Sequence, residues 1–178
     1  MIFGEHGVIR AAEPDDAPTL KRVYNLPKPR AAVLDRRREP YQPTNDELRE
    51  ALARKDLKYL GEYYAVEDKT GVIRGFCSLR AGRRDVFFGD MLLMFLDEAD
   101  LERPIAAEAF AFLRNKAFAE RRLTKMVAHC LDGEDALRAF LMANGFHSNG
   151  VAREILFTRG RWFNCETLSL FASEHEER

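Results

Sequence analysis

The sequence predicts one α/β domain over residues 1–178: a mixed, mostly antiparallel twisted sheet of about seven strands with helices on both faces. Three observations carry this. Of the 178 residues, 46% are hydrophobic, enough for one full core. Strand-like runs alternate with stretches at helical spacing in the order β-α-α-β-β-β-α-β-α-β-β. Residues 85–96 are apolar almost throughout, as a central strand covered on both faces requires.

Val8 to Ala12 reads as the first strand. Pro14, Asp15 and Asp16 start a helix whose Ala17, Leu20, Val23 and Tyr24 share a face; Pro27 and Pro29 stop it. Residues 27–43 hold four prolines and the run Arg36-Arg37-Arg38-Glu39, and read as a loop. Thr44 and Glu47 have the spacing of a capping box ahead of a second helix, with Leu48, Ala51 and Leu52 inward. Glu62 to Glu67 and Val72 to Leu79 read as strands joined by a hairpin turn at Asp68-Lys69-Thr70-Gly71. After the central strand, Asp85 to Leu96, Pro104 opens a helix to Arg121 that buries Ile105, Ala106, Ala109, Phe110, Leu113 and Ala117. Lys125 to Leu131 is a strand, and Glu134 to Ala143 a helix ended by Gly145. Ala152 to Thr158 and Glu166 to Phe171 close the domain as a strand pair around Gly160-Arg161-Trp162, and the charged tail from Ser173 reads as frayed. The crossover through residues 104–121 makes the strands ending at Leu96 and Leu131 parallel neighbours that splay at their C-terminal ends.

Charge and cysteine usage exclude several classes. Lys and Arg number 28 against 29 Asp and Glu, a net charge of −1, so neither a nucleic-acid nor a membrane partner is expected. Cys77, Cys130 and Cys165 are far apart and form no CxxC pair, so no metal site or disulfide framework is expected, and a reducing cytoplasm fits. The N-terminus lacks the basic and apolar regions of a signal peptide, and no run is long enough to span a bilayer.

Ile9-Arg10-x-Ala12-x-Pro14-x-Asp16-Ala17, Gly75, Asn144-Gly145-Phe146 and Arg161-Trp162, in this element order, resemble the GNAT-type N-acetyltransferases. The late Gly-Phe and the Trp-containing hairpin resemble the subgroup that acetylates ribosomal-protein N-termini and related amines. The resemblance implies acetyl-coenzyme A as acyl donor and an amine partner: a protein N-terminus, a small amine or an amino sugar. Direct attack of the amine on the thioester is the implied chemistry, and a homodimer is a further partner expectation. Backbone N–H groups near Met94, Phe95 and Leu96 would hold the thioester carbonyl and pantetheine. Leu101, Glu102, Arg103, Ile105, Ala106 and Ala107 would face the pyrophosphate, and Asp132 the pantetheine arm. Asp132 also reads as the N-cap of the next helix.

The family's loop pattern Gln/Arg-x-x-Gly-x-Gly/Ala stands here as Leu101-x-x-Pro104-x-Ala106. Leu101 offers no side-chain donor and Pro104 no N–H. From Asp97 to Arg103, four acids and one arginine give −3. That suits a helix N-terminus but opposes a diphosphate, so neutralising Asp100 or Glu102 is expected to tighten cofactor binding. The alternative function is a catalytically impaired binding or partner module that keeps this fold without the cofactor.

The family's usual tyrosine acid falls at Phe140 or Leu141, neither of which donates a proton. Asp90 and Glu62 are the candidates for taking a proton from the amine, each also readable as a solvated carboxylate. His129, alternating within an apolar strand, reads as a core histidine rather than a base. Trp162, beside Arg159 and Arg161, reads either as a partner anchor or as packing on the sheet.

Overall fold

The computed structural model describes residues 2–26, 43–53, 62–81, 87–158 and 160–176. The prolines of residues 27–42, the triple arginine, Asp85 and Arg159 lie outside them. A two-residue strand β1 (Ile2–Phe3) precedes β2 (Gly7–Ala11), a 3-10 turn (Pro14–Asp16), α1 (Ala17–Tyr24) and α2 (Asn45–Ala53). The capping box before α2 is formed: Glu47 N–H donates to Thr44 Oγ1 at 3.2 Å, and Thr44 N–H donates to the Glu47 carboxylate at 2.8 Å.

β3 (Glu62–Asp68) and β4 (Ile73–Ala81) meet at the expected turn. There Asp68 Oδ1 accepts from Thr70 and Val72 N–H, and Gly71 takes φ +80°. Next come β5 (Phe88–Phe95), a 3-10 turn (Glu98–Glu102), α3 (Pro104–Asn115), β6 (Lys125–Leu131) and α4 (Asp135–Ala143). β7 (His147–Thr158), β8 (Arg161–Phe171) and α5 (Ala172–Glu176) end the chain.

The strands form one sheet in the order β1-β2-β3-β4-β5-β6-β8-β7. β5 and β6 pair in parallel, and the other pairings are antiparallel. The sheet therefore has the mixed, mostly antiparallel form read from the sequence, with short β1 added at its edge. One face carries the main core, where Leu79, Met91 and Leu93 meet Phe110 and Leu113 of α3 and Leu137 and Leu141 of α4. The other face packs Ala65, Phe76 and Met94 against Leu20 and Val23 of α1 and Leu48 of α2.

Three expectations are corrected. The long helix changes winding at Lys116 into a π turn (Lys116–Glu120), closed by Arg121 N–H donating to Lys116 O at 3.0 Å. This buries Ala117 fully while the Lys116 ammonium lies over the Tyr64 and Phe112 rings. The closing strands begin at His147 and Arg161, five residues ahead of each expectation: β7 extends back through the polar run His147-Ser148-Asn149, and Arg161 and Trp162, read as the turn, pair with Thr158 and Phe157. The tail from Ala172 is a helical turn; the Phe171 N–H donates to the Glu174 carboxylate at 3.1 Å.

Trp162 is 55% exposed and packs on Phe157 with ring centroids 5.2 Å apart, at the tip of the β7–β8 pair rather than in the core. We expect Trp162→Ala to lower the melting temperature by only about 2–4 °C, the equivalent of roughly 1 kcal/mol. Thermal denaturation followed by circular dichroism checks this, and a fall beyond about 10 °C would place the ring in the core after all. Among the described residues no helix is long and apolar enough to cross a membrane, and no cluster of His, Cys, Asp and Glu could hold a metal ion.

Candidate active site

β5 and β6 pair only from Phe88 opposite Lys125 to Asp90 opposite Val127, and beyond that the two strands part. What each backbone group does at this split follows from ladder alternation. Leu96 N–H donates to Arg74 O at 2.9 Å, so these residues form a hydrogen-bonded pair between β4 and β5. Alternation turns the backbone groups of Leu92 and Met94 toward β4 as well, and those of Leu93 and Phe95 away from it, into the split. Phe87 O follows the same parity, accepting from Thr124 N–H at 2.7 Å on the β6 side. Of the three amides expected to serve a bound thioester, Phe95 faces the gap, whereas Met94 and Leu96 belong to the β4 ladder. Leu93, which was not among the amides expected to hold the donor, joins Phe95.

The loop after β5 is held from within. Asp97 caps the 3-10 turn by accepting from Ala99 N–H at 3.0 Å. Asp100 is not a solvent-facing charge: it is 1% exposed, and Arg74 reaches it with Nε at 3.1 Å and Nη2 at 3.0 Å. Arg103 Nη1 lies 2.9 Å from the same carboxylate. The Asp100 carboxylate raises the Arg74 guanidinium pKa above its ordinary value. The count of −3 thus overstates the charge that a phosphate would meet.

At the start of α3, Pro104 has no N–H, Arg103 N–H donates to Asp100 O, and Ala106 N–H donates to Arg103 O. Ile105 and Ala106 are buried, Leu101 is half-buried against the main core, and Glu102 and Ala107 are exposed. Arg103, 57% exposed along its side chain, stands at this end with Arg74 behind it. The split therefore fits a pantetheine arm through Leu93 and Phe95. The helix start fits a diphosphate less through bare amides than through these two guanidinium groups.

Asp132 does not cap α4. Its Oδ2 accepts from Asn164 N–H at 2.8 Å and its own N–H donates to Asn164 O, so it ties the end of β6 to β8. The N-cap position is Glu134, whose buried carboxylate accepts from Leu131 N–H at 2.8 Å. Glu62 opens β3 opposite Leu79, which stands opposite Met91, so the register does not align it with Asp90. The Glu62 side chain lies outside the described residues.

Asp90 lies at the vertex of the split, in the last parallel pair, and is paired rather than solvated. Its Oδ1 is 3.7 Å from His129 Nε2, and His129 Nδ1 is 3.3 Å from Thr167 Oγ1. His129, 37% exposed along its side chain, is thus no satisfied core histidine. Asp90 first, and Cys165 second, raise the His129 pKa to about 9. The unfolded value is 6.5, so the pair's stabilising effect is complete below that pH and is lost as pH rises through about 9. We expect urea midpoints to fall between pH 6.5 and 9, and the fall to be smaller in His129→Gln. Equal slopes in both proteins would show that the pair contributes nothing.

The chain belongs to the GNAT acetyltransferase family: residues 8–147 match the family described as acetyltransferase (GNAT) domain. It is similar to the probable N-acetyltransferase YjcK of Bacillus subtilis (strain 168), at 26% identity over 132 residues covering 74% of this chain and 71% of that protein. Spermidine N-acetyltransferase from Vibrio cholerae, solved in complex with CoA and spermine, shares the fold with a TM-score of 0.81 at 17% identity, over 97% of this chain and 99% of the other. The ribosomal-protein-S5-alanine acetyltransferase of Vibrio fischeri superposes with a TM-score of 0.73 at 21% identity, over 96% and 95%.

Proposed function

We propose that this GNAT acetyltransferase moves an acetyl group from acetyl-coenzyme A to a primary amine of a small molecule, an amino sugar or a protein N-terminus. The observation that carries the reading is the β5–β6 split, with Leu93 and Phe95 backbone groups directed into it and the Asp90–His129 pair at its vertex. The solved neighbour's complex with CoA and spermine supports both a coenzyme A donor and an amine acceptor.

When bound, acetyl-coenzyme A supplies an activated acetyl group. The chain's own parts do the rest. Phe95 and Leu93 N–H groups hold the donor's carbonyl and amides along the β5 edge. Arg74 and Arg103 place positive charge at the start of α3. Asp90 and His129 offer a carboxylate and an imidazole where the amine must lose a proton.

Calorimetric titration with acetyl-coenzyme A, followed by a thiol-release assay over polyamines, amino sugars and short peptides, tests the proposal. A measurable heat of binding and thiol release with at least one amine is the expected result. No binding at millimolar donor would overturn the reading. A homodimer through the exposed Phe157–Trp162 tip is part of the same proposal. Light scattering on Trp162→Ala tests it: an unchanged mass would remove that surface as the contact.

A further inference from the structure

We propose that His129 carries the proton of the transfer, giving it to the sulfur as the C–S bond breaks and recovering one from the new amide nitrogen, while Asp90 and Thr167 position its ring. The inference rests on the acetyl-transfer reading and assigns a role within it.

Position comes first. Parallel pairing ends at Val127, and His129 is the next residue on that face of β6, on the lip where the strands have parted. Thr167 stands directly opposite it on β8, and Asp90 approaches from β5, so three strands converge on one imidazole. The contact to Asp90 is 3.7 Å, an ion-pair distance too long for a hydrogen bond. The carboxylate thus orients and charges the ring.

Alternatives are few. The positions where a phenol is expected hold Phe140, half-buried in the main core, and Leu141, fully buried. Two titratable groups act on the ring, Asp90 from β5 and Cys165 from β8. Cys165 is buried beside Phe163, and Asp90, paired with the imidazolium, is a carboxylate without a proton to give.

The chemistry balances. A neutral amine attacks the acetyl carbon and the C–N bond forms. The C–S bond breaks, and its electron pair leaves on sulfur. The imidazolium protonates that sulfur, and the neutral ring then takes the proton that the positively charged nitrogen sheds. His129 ends as it began, with one proton moved from nitrogen to sulfur. A thiol titrates near about 8.5, so transfer from a ring at about 9 is close to energetically level.

Nuclear magnetic resonance of the free protein gives a readout that needs no donor. The expected His129 midpoint is about 9, moving toward 6.5 in Asp90→Asn. In steady-state kinetics His129→Gln should lower kcat by at least about 100-fold while the calorimetric affinity for acetyl-coenzyme A stays within about twofold. That loss should shrink with an acetyl donor whose thiol is more acidic, such as an aryl thioester, because its sulfur needs no proton to leave. Should His129→Gln not fold, Thr167→Val should shift the kcat–pH profile while leaving the charge pair in place. The proposal is overturned by a wild-type midpoint near 6.5 that ignores Asp90→Asn, by kcat within about threefold of wild type in His129→Gln, by equal losses with both donors, or by an unmoved profile in Thr167→Val. Failure of wild-type protein to bind acetyl-coenzyme A would instead overturn acetyl transfer itself, whatever the ring titration shows.

Discussion

Asp100→Asn is expected to lower the melting temperature by roughly 6–12 °C, the equivalent of about 3 kcal/mol. Asp100 is 1% exposed and anchors two guanidinium groups, one reaching it from β4 and the other from the start of α3. The amide keeps the volume but loses the charge, leaving Arg74 without its partner in a half-buried position. Replacing the half-buried member with it, as in Arg74→Met with Asp100→Leu, should recover much of the loss, because the one charge then left without its carboxylate, on Arg103, is 57% exposed along its side chain. Thermal unfolding of the three proteins checks the set; a melting temperature within about 2 °C of wild type for Asp100→Asn would show the cluster to be dispensable. The direction for the cofactor reverses as well. Counted along the sequence, Asp100 is a like charge to be removed. In the fold it positions Arg74 and Arg103, so its loss should weaken acetyl-coenzyme A binding. Glu102 is exposed, and Glu102→Gln remains a test of simple charge removal, tightening binding more at low salt than at high.

The difference shows what a sequence exposes and what it hides. The parallel β5–β6 pair was legible because a crossover helix with Ile105, Ala109, Phe110 and Leu113 on one side permits little else. The capping box at Thr44 and the turn at Asp68 were legible because each is a local bargain among residues a few positions apart. Asp100 and Arg74 are 26 positions apart, and Asp90 and His129 meet only once the register of β5 against β6 is set. A one-residue slip would turn His129 to the other face of the sheet, and periodicity alone does not fix that choice. The π turn at Lys116 was hidden for a different reason: its residues keep good helical propensity, and the extra residue shows only in where Ala117 and Lys116 end up. Within the candidate site, Asp90 and His129 could each be named from the sequence, but their contact could not.

Gly75→Ala should cost about 2 kcal/mol and weaken acetyl-coenzyme A binding at least about tenfold. Gly75 sits on β4 opposite Phe95. A methyl group there would collide with Met94 O and stand 2.8 Å from Phe95 Cδ1 and 3.0 Å from Phe95 Cα. Two of these three are backbone atoms, which no rotamer change relieves. β5 must therefore shift at Met94 and Phe95, where its other edge borders the split. The same shift that relaxes the clash misaligns the Phe95 N–H that faces the donor, so stability and affinity fall together. Gly71→Ala supplies the contrast. Gly71 takes φ +80° with nothing within 4 Å of an added methyl, so its substitution strains a distant turn by about 1 kcal/mol. That variant should lose stability and keep its affinity. Calorimetry and thermal unfolding on both proteins separate the two effects. Gly75→Ala with a lowered melting temperature and wild-type Kd would mean that the Phe95 edge of β5 does not hold the donor.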